Sequence, residues 1–382
     1  MLENVSLEFV AQRSFHKTAD QQPNGFPRAF QVAERKWHDP YRPIAVFRSG
    51  HAQTLLGNYW YRPRLELTPL AEPVVVDRND GSRVLCRCHW QREAATGNVC
   101  SDRLTLLLVH GLEGSSNSGY IRGITALAWA AGCNVIRMNM RNCGGTEAWT
   151  PTLYHSGLSG DVGAVLEHFA DHYQLTRMAM VGYSMGGNLV LKLAGELGSA
   201  APCWLRGAAA VSPVTDLAES ADALHEMGNR LYERHFLRRL MRRFRRKAQL
   251  FPEIYLADAV MRIGSIREFD DHITARYNGF QDAEDYYFRA SSARVVGEIR
   301  LPTLLIHALD DPFIRMRSDT RSLLASNGAV ELVESCKGGH CAFLASQSGG
   351  GRHWAEATVV RYLMAHAGHA LRSDAGDAFN GS

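Results

Sequence analysis

Val181-Gly182-Tyr183-Ser184-Met185-Gly186-Gly187-Asn188 is the stretch on which the reading of the fold turns. Just upstream, Met178-Ala179-Met180-Val181 is a short apolar run suited to a buried strand, and downstream Leu189 to Leu197 has the spacing of a buried helix. Ser184 is therefore expected on a strand-to-helix turn. Glycines two positions before and two after it let the chain turn sharply and let strand and helix approach, which lifts the serine above the sheet. The helix N-terminus behind it favours negative charge developing nearby. A G-x-S-x-G run also fits an ordinary loop, so its surroundings decide between the two.

Those surroundings alternate strand and helix. Val74-Val75-Val76, the turn signal Asn79-Asp80-Gly81 and Arg83 to Trp90 read as an antiparallel hairpin. Leu104 to Val109 is a nearly continuous apolar run, as a parallel strand buried on both faces requires. Tyr120 to Ala131 follows as a helix, Asn134 to Met138 as a strand, Gly160 to Tyr173 as a helix and Ala208 to Val211 as a strand. This rhythm predicts a mostly parallel sheet with helices on both faces, an α/β architecture in which ligands bind at the carboxyl ends of the strands.

The loop His110-Gly111-Leu112-Glu113-Gly114-Ser115-Ser116 leaves one of those carboxyl ends. It lacks both Gly-Lys-Ser/Thr and G-x-G-x-x-G, so a phosphate cradle is set aside. A loop in this place can instead supply a backbone donor to an oxyanion, with a second donor from the residue after the serine, which nominates the N–H groups of Leu112 and Met185. Later strands supply two further candidates. Leu301 to His307 runs into Ala308-Leu309-Asp310-Asp311-Pro312-Phe313, and Ala329 to Val333 runs towards Gly338-Gly339-His340-Cys341, before a helix from about Trp354 to His366. A carboxylate and then a histidine, each after a late strand, complete the order Ser, Asp, His. His340 would take and return a proton near neutrality, and Asp311 would fix its tautomer, with Asp310 the rival for that role.

Between Val214 and Ala293 the alternation breaks into a charged, aromatic, helical segment, expected to be an inserted lid. Within Arg234 to Lys247, Phe236, Leu237, Leu240, Met241 and Phe244 share one helical face, and seven arginines and a lysine fill the remainder. The expected role is a lid element that packs its apolar stripe on the body and solvates its arginines. Weak membrane-surface contact or an anionic substrate group are the alternatives.

Composition bounds the rest. The 382 residues carry a formal charge of only +3, which argues against a global nucleic-acid or membrane role, and no nucleic-acid partner is expected. The first residues lack a basic, then apolar, export pattern, and no uncharged run reaches the length of a membrane span, so the expected location is cytoplasmic. Eight scattered cysteines without C-x-x-C pairs read as reduced thiols. The expected division is an irregular segment over 1–70 packed on the core, an α/β core over 71–213 and 294–367, the lid over 214–293, and a flexible tail over 368–382.

The chain resembles the YheT-like esterases of the α/β-hydrolase superfamily, a group that also contains mammalian abhydrolase-domain lipases. The resemblance rests on His51-Ala52-Gln53-Thr54, His110-Gly111-Leu112-Glu113-Gly114, Asn139 to Gly145, Gly182 to Asn188, Asp285-Tyr286-Tyr287 and Ala308 to Phe313. It implies an α/β-hydrolase fold and a triad on Ser184, Asp311 and His340. No hydrophobic N-terminal anchor like that of the mammalian members is expected from the first residues, Asn142 replaces a glycine more usual in the family, and the arginine-rich lid helix is not expected of the group. The expected function is a serine hydrolase that cleaves small carboxylic or lipid-like esters through an acyl-enzyme, with no metal or cofactor. An acyltransferase with the same triad or a lipid-binding, non-enzymatic member are the rivals.

Overall fold

A computed structural model describes residues 40–45, 47, 49–59, 70–256, 263–348 and 351–366. The tail expected over 368–382 and, of the segment expected over 1–70, residues 1–39, 46, 48 and 60–69 lie outside the described residues. Eight strands form one sheet: β1 (Glu72–Asp77), β2 (Arg83–His89), β3 (Thr105–Val109), β4 (Asn134–Met138), β5 (Met178–Tyr183), β6 (Leu205–Val211), β7 (Thr303–Ala308) and β8 (Val330–Ser335). Their order is β1-β2-β4-β3-β5-β6-β7-β8. β2 pairs antiparallel with both β1 and β4, and every later pairing is parallel.

The central strands are apolar throughout because both faces of the sheet are covered. β3, β4, β5 and β7 are buried at every position. Along β3, Leu107 and Val109 join the core beneath α3 (Ser159–Tyr173) and α4 (Met185–Leu197). Leu106 and Leu108 point the other way, into the core formed with α2 (Gly119–Ala130) and α11 (Trp354–His366). This two-residue alternation is the pleat expressed as packing.

The chain between β6 and β7 leaves the sheet and builds the helical lid. It contains α5 (Leu217–His225), the long α6 (Arg230–Leu250) and α9 (Ala283–Ala290). Between α6 and α9, α7 (Ile266–Phe269) passes through a π-helical stretch, Asp270–Ala275, into α8 (Arg276–Asn278). The short α10 (Ser318–Ser326) connects β7 to β8.

Two local features differ from the sequence reading. Gly50–Tyr59, within the stretch read as irregular, forms helix α1. It has little apolar periodicity, and tertiary contacts hold it: the Leu344 N–H donates to Gln53 Oε1 at 3.0 Å, and Thr54 is used by the His340 loop. A small hairpin, β9 (Leu344–Ser348) with β10 (Gly351–His353), precedes α11.

Candidate active site

Ser184 sits at the turn between β5 and α4 with φ of 54° and ψ of −118°. A non-glycine residue with positive φ carries strain, and its surroundings enforce it. The Ser184 N–H donates to the Val211 carbonyl at 2.9 Å. A Cβ at Gly182 would run into the Gly186 carbonyl, and one at Gly186 into the carbonyls of Val109 and His110. The glycines are therefore required by close backbone approach, and the elbow they permit brings Ser184 to the rim of a cavity.

His340 stands on the loop after β8, its ring paired with a carboxylate. Its Nδ1 lies 2.8 Å from Asp311 Oδ2, and the Asp311 side chain is completely buried. The other oxygen, Oδ1, accepts the N–H groups of Phe313 at 3.2 Å and Ile314 at 3.0 Å, which fixes the carboxylate in the turn after β7. Asp310 does different work: its Oδ1 accepts the Gly339 N–H at 2.9 Å and its Oδ2 lies 3.8 Å from Lys337 Nζ. Neighbouring carboxylates in one turn thus hold the histidine loop and the histidine ring respectively.

The loop is anchored at two successive residues. The His340 N–H donates to Thr54 Oγ1 at 2.8 Å, and the Cys341 N–H donates to Ser212 Oγ at 3.1 Å. Cys341 Sγ contacts the Val211 carbonyl at 3.7 Å, the same carbonyl that holds the Ser184 N–H. Ser184 and Cys341, the residue after His340, therefore meet at one point of β6. Cys341 Sγ also lies 3.6 Å from His340 Nε2, and among the described residues that thiol is the partner of Nε2. Burial works against a charged ring, but Cys341 and the Asp311 carboxylate outweigh it and hold the imidazole well above its usual range.

Leu112 and Met185 line the same cavity as Ser184. Neither N–H is taken by a protein acceptor among the described residues. The loop that carries Leu112 is rigid for identifiable reasons. His110 is fully buried, contacts the Gly111 carbonyl through Nδ1 at 2.8 Å and accepts the Met140 N–H at Nε2, and burial pushes its pKa down to about 4, so it is a neutral structural group.

Glu113, next in the loop, has φ of 56° and a buried carboxylate. That carboxylate accepts Arg243 Nε at 2.7 Å and Arg243 Nη2 at 3.2 Å, with the Tyr154 hydroxyl at 2.7 Å. The Glu113 carbonyl accepts Arg239 Nη2 at 2.6 Å. Arg243 also reaches Glu147 Oε1 at 3.2 Å and the Asn142 carbonyl. One turn on, Lys247 is buried and donates to Asn142 Oδ1 and the Glu147 carbonyl, both at 3.1 Å, and to the Thr150 carbonyl.

These contacts revise the expectation that the α6 cations are merely solvated. Arg239, Arg243 and Lys247, spaced four residues apart, dock the helix on the body beside its apolar stripe. Spacing alone could have shown that they share a face; only the tertiary structure shows what meets them. His51, in the His51-Ala52-Gln53-Thr54 stretch, is exposed and lies 3.2 Å from the Tyr232 hydroxyl with the rings stacked. Thr54, in the same stretch, was the member that mattered for the site.

The cavity between lid and sheet encloses about 940 Å³, its mouth included. Leu217, Leu224, Phe236, Leu240, Phe244 and Phe269 form apolar walls of the cavity that Ser184 also lines. Asp270 in the π-helical stretch gives one polar edge, accepting from Thr274 at 2.7 Å and Tyr287 at 2.8 Å, and burial raises its pKa to about 6. Among the described residues no group of three or more His, Cys, Asp or Glu side chains is placed to hold a metal ion.

Sheet order, elbow and lid together define an α/β hydrolase. A family model described as "alpha/beta hydrolase fold" matches residues 105–346, more than half of the chain, and the protein belongs to that family. Within it the chain is 30% identical over 329 residues to the protein named "Putative esterase YheT" of Escherichia coli, covering 85% of this chain and 93% of that one, and it belongs with the YheT-like group. It is 32% identical to "Phospholipase ABHD3" of Mus musculus over 80% of this chain and 74% of the relative. Against "Monoacylglycerol lipase" of Saccharomyces cerevisiae the identity is 28%, over 68% and 58% of the two chains. Among solved structures, a 2,6-dihydroxy-pseudo-oxynicotine hydrolase superposes with a TM-score of 0.53 over 79% of this chain and 70% of that one; at 15% identity this speaks to the fold alone. No helix of the described residues is long and apolar enough to cross a membrane.

Proposed function

We propose that the protein is a serine hydrolase of carboxylic esters that works through an acyl-enzyme on Ser184. The observation that carries this reading is the buried Asp311–His340 pair at 2.8 Å, linked through Cys341 and the Val211 carbonyl to a strained serine that lines an apolar cavity. His340 Nε2 removes the hydroxyl proton as Ser184 Oγ attacks the ester carbonyl, then returns it to the leaving alkoxide. Asp311 holds Nδ1–H, so that Nε2 is the basic nitrogen, and stabilises the imidazolium formed in the transition state. The N–H groups of Leu112 and Met185 receive the oxyanion, each such donor contributing about 10²–10³ in turnover. Water, activated by the same histidine, then releases the acyl group. The apolar walls suit an acyl chain or lipid-like ester, in keeping with the names that the relatives carry.

For Nε2 to serve Ser184 it must leave Cys341 Sγ, a movement that substrate entry would drive. The test is labelling by a serine-directed fluorophosphonate together with hydrolysis of a graded panel of acyl esters. Wild type is expected to label and turn over, and Ser184→Ala to lose both, with activity down by several orders of magnitude and the fold intact by circular dichroism. Near-wild-type turnover in Ser184→Ala would sink the assignment. Added alcohol should leave the free acid as the main product; efficient alcoholysis would make the enzyme an acyltransferase.

A further inference from the structure

Helix α6 divides lengthwise into three sectors, given about 100° of rotation per residue. Leu237, Leu240 and Phe244 form the sector buried on the body. Arg239, Arg243 and Lys247 form the second, taken up by Glu113, Glu147 and the carbonyls of the 142–150 loop. The third sector faces solvent. Arg234, Arg238, Arg242, Arg245 and Arg246 are exposed along it, with Arg230 at its start, and among the described residues none of their guanidinium groups has a hydrogen-bond or ion-pair partner. Acidic residues elsewhere on the surface do find arginines: Glu219 and Asp319 pair with Arg317, and Asp222 and Glu284 with Arg267. The α6 row is left without such neighbours over about 24 Å of helix.

We infer that this row is a docking surface for an anionic lipid membrane. Charge complementarity is one reason: in a chain whose net charge is only +3, so many unpaired cations on one helix make a strong local field facing a single direction. The apolar residues at the same end of the helix supply a second reason. Leu231 is 80% exposed and Met227, in the turn before α6, is 89% exposed. Leu55 of α1 is also exposed, one turn from His51, which contacts Tyr232. Exposed leucine and methionine beside arginines gain by entering an acyl-chain boundary, whereas a phosphodiester groove offers them nothing. The buried sectors hold α6 rigidly, so it docks as a folded surface and need not detach. Phe236, Leu240 and Phe244 of the same helix line the cavity, so a lipid surface on α6 lies about one helix diameter, 10–12 Å, from it.

The experiment is co-sedimentation of the full chain with phosphatidylcholine vesicles, with and without phosphatidylglycerol, at ~0.1 M and ~0.5 M NaCl. Arg234→Gln/Arg238→Gln/Arg242→Gln and the corresponding glutamate triple are compared with wild type. Turnover of a soluble short-chain ester, which needs none of these arginines, is measured alongside, so that loss of docking and failure of the hydrolase reading are separate results. Expected are binding only to the phosphatidylglycerol vesicles, at least about tenfold weaker partition at the higher salt, and at least about tenfold loss in the glutamine triple with a larger loss in the glutamate triple. Soluble-ester turnover should be unchanged. Absence of binding at ~0.1 M salt, or binding that the triples do not weaken, overturns the inference. So does arginine-dependent binding of nucleic acid without binding to vesicles.

Discussion

At the scale of single residues, adjacent carboxylates with different partners make the sharpest test. Asp311→Asn keeps size and shape but can present its amide to His340 Nδ1 and so favour the wrong tautomer; turnover is expected to fall about a thousandfold or more. Asp310→Asn loses a charge that holds Gly339 and should cost far less, chiefly through a looser loop. The reverse ranking would transfer the role to Asp310. The pH profile gives a second test. A base must be neutral to accept the serine proton, and Cys341 and Asp311 hold the His340 imidazole well above its usual range. Activity should therefore fall as pH drops through the raised pKa, and the acidic limb of kcat/KM should lie above the ~6.5 of a free imidazole. Cys341→Ala removes one of the raising groups, so it should move this limb downwards while freeing Nε2 for Ser184. A limb at or below ~6.5 in the wild type would mean that the pair does not control the base.

Elements show why some of the site was legible in the sequence and some was not. The β5–Ser184–α4 turn could be read because its signature lies in one short run: Gly182 is forced by atoms of the elbow itself, and Gly186, forced by Val109 and His110 at the end of β3, stands in the same run. Gly186→Ala should accordingly destabilise the fold by roughly 1–3 kcal/mol or more, measurable as a lowered denaturant midpoint. The apolar strands were legible for the same reason, since burial on both faces leaves a continuous run. Helix α1, the use of Thr54 by His340 and the pairing of Glu113 with Arg243 were not, because each depends on a partner far away in the chain, up to 286 residues for Thr54. The Arg243 contact is also functional under the proposed mechanism, because Glu113 adjoins the Leu112 donor. Arg243→Lys cannot reproduce the forked contact. It should lower kcat about tenfold to a hundredfold with KM within a few-fold, and weaken a boronate transition-state analogue in parallel, because a displaced oxyanion donor harms the transition state more than the ground state. If KM alone rises, the contact is a wall of the pocket and nothing more. Removing one partner of a buried ion pair also costs about 3–5 kcal/mol, so Glu113→Gln/Arg243→Met, which removes both buried charges and leaves only the partly exposed Glu147 and Arg239 without them, serves as the control for folding.

For the whole molecule, the lid converts an exposed sheet edge into a cavity, and under the proposed function the room in that cavity would select the acyl group. Ser184 stands at its rim, and Leu217, Leu224, Leu240, Phe244 and Phe269 line its apolar walls. Each methylene moved from water into such walls gains about 0.8 kcal/mol, close to fourfold in kcat/KM while space remains. Activity should then climb from acetyl towards medium-chain esters and level off when the acyl chain meets the far wall. Leu240→Trp, which enlarges a side chain that lines the cavity, should move the optimum to shorter acyl groups while acetate turnover changes little. The same substitution tests the direction of the chain: if the acyl group lay outside the lid and the alcohol inside, Leu240→Trp would discriminate among alkyl acetates and leave the acyl series untouched. A wild-type profile that peaks at acetate would remove the acyl pocket altogether, and would leave the lid the task of excluding water from the serine.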